Sequence, residues 1–154
     1  MGTFISHSPE ETECLGEEWG RSAQQGLVIA LSGELGVGKT QLVKGLGRGL
    51  GLTSRIHSPT FGLVNIYTGG RLEIVHLDLY RLDTPGQVAS AGLEQYLSPD
   101  GIAVIEWAER MITFPRKLKT ETETPPLPCA KLRWVRIESL SETERRIEYE
   151  DFGA

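Results

Sequence analysis

Eight consecutive residues, Gly33, Glu34, Leu35, Gly36, Val37, Gly38, Lys39 and Thr40, constrain this chain more than any other segment. They follow the pattern G-x-x-x-x-G-K-[ST]. They stand between a continuous apolar run at 27–31 and apolar residues at helical spacing, Leu42, Val43, Leu46 and Leu50. A buried strand, a glycine-rich turn and a helix in that order make a cradle whose backbone N–H groups converge on phosphate, backed by the positive end of the helix. The pattern predicts a polyphosphate ligand. Lys39 is placed to reach the β- and γ-phosphates, and the Thr40 hydroxyl to ligate a magnesium ion bridging them.

Strands alternating with helices give the fold class α/β. The run at 27–31 reads as a parallel central strand covered on both faces. Residues 63–67 and 72–77 read as strands joined by the turn signal Thr68-Gly69-Gly70-Arg71, and 102–105 as another fully apolar strand. Thr84-Pro85 opens a short helix. Upstream, Ser8-Pro9-Glu10-Glu11 reads as a helix start with a capping box, followed by a Leu15, Trp19, Ala23 stripe and Gly26 as the helix stop. Gly45, Gly47 and Gly49 each lower the propensity of the following helix by about 1 kcal/mol relative to Ala, so packing must hold it.

The 154 residues suit one domain spanning 1–154. Residues 117–130 read as a loop. Residues 131–150 read as a hairpin tail, its apolar runs at 132–137 and 147–149 flanking Ser141-Glu142-Thr143-Glu144. Together these features predict a single P-loop NTPase domain: a mostly parallel central sheet flanked by helices, with an antiparallel C-terminal hairpin.

A chain of this length stands on packing alone, and Cys14 and Cys129 show no metal or disulfide spacing. No apolar run approaches the roughly 20 residues that cross a bilayer, and the start is unlike a secretory leader, so a cytoplasmic protein with no membrane partner is expected. The formal net charge of −5 disfavours general nucleic-acid binding by this chain alone.

A nucleotide–magnesium site needs carboxylates, and in an open parallel sheet ligands lie beyond the carboxyl ends of the strands. Asp78 and Glu106 each end an apolar strand. Asp78 suits the metal-holding role, directly or through a water; Glu106 either completes the metal shell or orients the attacking water. Ser58-Pro59-Thr60 is either a turn or a loop whose Thr60 senses the γ-phosphate. Trp107 packs against the site or belongs to the core. His7, His57 and His76 are scattered and read as ordinary surface or core histidines. Asp83-Thr84-Pro85-Gly86 imitates a GTPase switch, but no apolar strand ends at Asp83 and the single asparagine, Asn65, leaves no N-K-x-D element, so adenine is favoured over guanine.

Four segments taken together resemble the TsaE family over roughly residues 8–115: the phosphate-loop residues 33–40, Ser58-Pro59-Thr60-Phe61, His76-Leu77-Asp78-Leu79-Tyr80-Arg81-Leu82 and Ile105-Glu106-Trp107. The resemblance implies a bacterial P-loop ATPase using ATP and Mg2+ in forming threonylcarbamoyladenosine beside the anticodon of tRNA. It implies docking onto the TsaD and TsaB proteins, with tRNA reached only through them, and hydrolysis that supports repeated turnover. It assigns phosphate and magnesium binding to Lys39 and Thr40, metal and catalytic roles to Asp78 and Glu106, a switch-like loop to Thr60 and a flanking position to Trp107. Two positions depart from the family pattern: Glu34 replaces the usual Asp, and Ala108 the usual Pro.

The sequence lacks an obvious arginine finger, so hydrolysis by the chain alone is expected to be slow. Two other readings are a small-molecule kinase, with Arg110 and Arg116 as the available lid cations, and an assembly factor in which nucleotide binding sets partner affinity and hydrolysis is incidental.

Overall fold

The computed structural model describes residues 2–33, 38–52, 64–79, 93–97, 99–108 and 131–152. In chain order these form β1 (Gly2–Ser6), α1 (Pro9–Ser22), β2 (Leu27–Gly33), α2 (Lys39–Gly49), β3 (Val64–Tyr67), β4 (Ile74–Asp78), a 3-10 helix (Leu93–Leu97), β5 (Ile102–Glu106), β6 (Lys131–Ser139) and β7 (Arg145–Phe152). The expected helix at Thr84-Pro85 and the loop at 117–130 lie outside the described residues.

All seven strands join one sheet in the order β1-β7-β6-β2-β5-β4-β3. Its centre, β6-β2-β5-β4, is parallel throughout, while β3 and the β7–β1 pair attach antiparallel at the two edges. The expected α/β class and C-terminal hairpin are both present. The hairpin is more than a tail, because β6 inserts beside β2 and buries Trp134 and Val135. The strand β1 was not expected from its sequence. Its five residues form a strand only because β7 offers an open edge far along the chain, with Gly2 opposite Tyr149 and Ser6 opposite Arg145.

Ser8 caps α1 as expected, its Oγ accepting the Glu11 N–H at 3.1 Å. The reciprocal half of the capping box is displaced by one residue: Glu11 Oε2 accepts the N–H of His7 at 2.7 Å, because the chain enters α1 straight from β1 and presents that amide to the carboxylate. Leu15, Trp19 and Ala23 are buried, as their spacing requires. The helix ends at Ser22, before Gly26. Ser22 Oγ donates to the carbonyls of Glu18 or Trp19, which meets part of the bonding demand of the last turn. Gly26, at φ 93°, instead turns the chain into β2.

The glycines that weaken α2 as an isolated helix let it touch α1 along the backbone. A Cβ on Gly16 or Gly20 would collide with the carbonyl oxygen of Leu42 or Leu46; one on Gly45 or Gly49 would collide with that of Glu13 or Glu17. Arg48 closes the contact from outside, pairing with Glu13 at 2.8 Å and Glu17 at 3.7 Å. The two helices lie on one face of the sheet, where Leu15, Trp19, Leu42, Val43 and Leu46 pack on Ile29, Leu31 and Val104. On the other face Val28, Ala30, Leu77, Ala103 and Ile105 form a second cluster with Leu97 and Trp134. Residues 28–31 are therefore buried on both sides, as the apolar run demanded.

β4 begins at Ile74, later than expected. The Arg71 N–H is taken by the Leu50 carbonyl at 2.7 Å and the Arg71 guanidinium by the Gly20 carbonyl at 2.7 Å, which ties the turn to the ends of both helices and delays strand pairing.

Candidate functional site

β2 delivers Gly33 to the carboxyl-end rim of the parallel sheet, and α2 starts at Lys39 with Gly38 as its cap. Gly38 holds φ 102°, a conformation that a side chain disfavours. Among the described residues no side-chain hydrogen bond caps this helix end. Glu34, Leu35, Gly36 and Val37 lie outside the described residues.

Register brings the acids to the same rim. Leu31 of β2 stands opposite Glu106 of β5, and Asp78 of β4 stands opposite Glu106 on the other side. Within β4 the side chains alternate, so His76 and Asp78 share the face covered by α2. Glu106 is 3% exposed despite ending its strand. Its Oε1 accepts the Thr40 hydroxyl at 3.4 Å, which joins the α2 amino end to the β5 carboxyl end.

Lys39 is also buried. Its Nζ donates to the Gly33 carbonyl at 2.6 Å and stands 3.5 Å from the centroid of the Trp107 ring, a cation–π contact. Trp107 thus stands against Lys39 while also packing on the second core cluster, so it meets both of the descriptions its sequence left open. It adopts φ 60°, the single positive φ of a non-glycine residue among those described. The Leu79 N–H donates to the Glu106 carbonyl at 3.1 Å and fixes the strand end from which the Trp107 turn departs. Ala108, directly after it, is fully buried.

His76 is the residue that sequence reading passed over. It is more than a core histidine: its Nε2 lies 2.5 Å from Glu106 Oε2 and its side chain is inaccessible to solvent. The signal was present, since His76 stands two positions before Asp78 and so on the same strand face. What was missing was the pairing of β4 with β5. Thr60, Arg110, Arg116 and the Asp83-Thr84-Pro85-Gly86 segment lie outside the described residues.

The described residues thus gather a buried ammonium, a helix start, a hydroxyl and a carboxylate at one rim, with Asp78 across from the carboxylate. The family model for "Threonylcarbamoyl adenosine biosynthesis protein TsaE" matches residues 6–146. The chain belongs to the TsaE family. Among curated TsaE-family relatives, each named tRNA threonylcarbamoyladenosine biosynthesis protein TsaE, that of a Nostoc species is 52% identical over 106 residues, covering 66% of this chain and 65% of the relative. The Synechocystis relative is 50% identical over 107 residues, covering 64% and 68%, and the Bacillus subtilis relative is 38% identical over 101 residues, covering 66% and 63%. The match therefore spans slightly less than two thirds of the Nostoc and Bacillus relatives. The crystal structure of Bacillus subtilis YdiB superposes with a TM-score of 0.70 at 27% identity, covering 99% of this chain and 86% of that one. The TsaE-family model spans the rim described above, from Gly33 to Trp107. Among the described residues no helix is long and apolar enough to cross a membrane.

Proposed function

We propose that this chain is a magnesium-dependent ATP hydrolase that supports threonylcarbamoyladenosine modification of tRNA next to the anticodon, acting with the TsaD–TsaB pair. The observation that carries the reading is the contact between Thr40 and Glu106, which sets a metal-type hydroxyl and a buried carboxylate together beside Lys39. The relatives' names and the family model supply the pathway.

The donor set fits magnesium. Thr40 and Glu106 offer hard oxygen atoms, and Asp78 stands across the strand pair from Glu106. Among the described residues no three His, Cys, Asp or Glu side chains close into a metal cage. Magnesium keeps several waters and takes further ligands from substrate phosphates, so a few protein oxygens suffice for it. Bound there, magnesium would neutralise the charge of the β- and γ-phosphates. Lys39 grips the phosphate chain as a point charge, the amino end of α2 orients it, and Thr60 belongs to the loop that senses nucleotide state. Glu106 holds a metal ligand or accepts a proton from the attacking water. Trp107 keeps Lys39 pressed into the cradle and screens it from solvent.

The sequence offers no obvious arginine finger, and a group supplied in trans is worth roughly 10³ to 10⁵ in rate, so turnover is expected to rise with a partner present. Phosphate release from ATP, measured with and without the TsaD–TsaB pair, is the test. Strong stimulation is the expected result; equal rates would overturn the partnered reading, and a phosphorylated metabolite in place of free phosphate would favour a kinase.

A further inference from the structure

We infer that His76 is a positioning residue: it holds the Glu106 carboxylate in the orientation that presents Oε1 to Thr40. The inference rests on the hydrolase reading only for its kinetic consequence.

The two carboxylate oxygens of Glu106 have different neighbours. Oε2 meets His76 Nε2 at 2.5 Å, and Oε1 meets the Thr40 hydroxyl at 3.4 Å. The first contact is short and the second long, so the imidazole anchors the group and the hydroxyl does not. An ionised carboxylate only accepts, so the Nε2–H of His76 is the donor. The ring is itself fixed: it is 0% exposed, sits tilted near Tyr67 with centroids 6.4 Å apart, and rises from a strand paired on both sides.

Packing alone does not account for a histidine here. Nδ1 of His76 is buried and has no hydrogen-bond partner among the described residues. A buried nitrogen left in that state is a cost that a leucine of similar bulk, such as Leu77 beside it, does not incur. What the imidazole supplies and an aliphatic side chain does not is the Nε2–H directed at Glu106. Metal-site carboxylates depend on such partners, whose removal commonly lowers affinity or activity by roughly 10- to 100-fold.

The test uses three variants of the full chain: His76→Ala, His76→Gln and His76→Asn. The glutamine amide nitrogen reaches about as far as Nε2, whereas that of asparagine ends near the depth of Nδ1. Crystal structures of the variants are expected to show the Glu106 carboxylate withdrawn from Thr40 in His76→Ala and His76→Asn, and retained in His76→Gln. In steady-state hydrolysis with TsaD–TsaB present, His76→Ala should lose roughly 10- to 100-fold in kcat with KM for ATP essentially unchanged, and His76→Gln should recover most of it. If His76→Ala fails to fold, the contrast between the two amides carries the comparison. Glu106 keeping its place against Thr40 in His76→Ala, or the two amides behaving alike, overturns the inference. If the unaltered protein hydrolyses no ATP, the hydrolase reading falls while the crystallographic comparison still decides the role of His76.

Discussion

Lys39 Nζ stands 3.5 Å from the centroid of the Trp107 ring, and Trp107 sustains that contact from a backbone at φ 60°. For an L-residue the left-handed region costs about 1–2 kcal/mol, so the turn after β5 is held by what surrounds it. The ring caps a cation that is itself hydrogen-bonded to the Gly33 carbonyl at the end of β2. Two strand ends and the start of α2 are thereby closed onto one another.

Replacing Trp107 separates the ring from the backbone strain. Trp107→Ala keeps the Cβ in the unfavourable region; Trp107→Gly releases it, partly offset by the greater entropy of glycine in the unfolded chain. Urea denaturation is expected to find the glycine variant more stable than the alanine variant by about 0.5–1 kcal/mol. Equal stabilities would mean that φ 60° is not strained here.

Lys39 and Glu106 should fail differently. If Lys39 meets the phosphates as proposed, Lys39→Ala is expected to weaken ATP binding by roughly 10- to 100-fold, the range of a charge-assisted hydrogen bond. Glu106→Ala should leave binding nearly intact and abolish turnover. Titration calorimetry and phosphate release separate the two, and unchanged affinity in Lys39→Ala would remove that residue from the phosphate site.

At Gly45 two physical effects oppose each other. Helix propensity alone says that Gly45→Ala stabilises by about 1 kcal/mol. The added Cβ, however, would strike the Glu13 carbonyl oxygen of α1, which is backbone and does not yield. The expected result is a net loss of about 1–3 kcal/mol in denaturant unfolding, the usual cost of overpacking. A gain in stability would show that α1 slides freely on α2.

Acid should weaken the start of α1. Hydrogen bonds donated by the His7 backbone N–H and then by the His7 ring hold the Glu11 carboxyl below its ordinary value of 4.5. A depressed carboxyl contributes stability that is present above the unfolded value and lost as pH falls through the folded one. Thermal unfolding of the unaltered chain and Glu11→Gln should therefore differ most above pH 4.5 and converge in more acid solution. A difference constant with pH would count against a titrating cap.

Much of the site is legible in order along the chain. Residues 33–40 carry the pattern expected of a phosphate cradle, because a tight turn needs glycine and an anion needs a lysine and a hydroxyl at fixed offsets. Asp78 and Glu106 are visible because each is a polar residue terminating an apolar run. His76 is not visible in that way. Its meaning depends on β4 lying next to β5, a pairing across 30 positions that local periodicity does not encode. The helix glycines are half legible: composition says that α2 needs support, and only the crossing with α1 shows that backbone contact supplies it.

The amino-acid sequence by itself determined the local pattern of this protein: where a strand turns into a helix, where a glycine-rich segment with a lysine and a threonine falls, and which acids stand at strand ends. Those features depend on neighbours within a few positions, where sterics and hydrogen bonding act directly. Tertiary structure alone decided that β6 enters the sheet beside β2, that β1 finds β7, and that the buried His76 and Glu106 meet the half-buried Thr40. Such meetings join residues distant along the chain, and they arise because burying the apolar faces of the whole sheet at once leaves one set of strand neighbours that also satisfies the backbone.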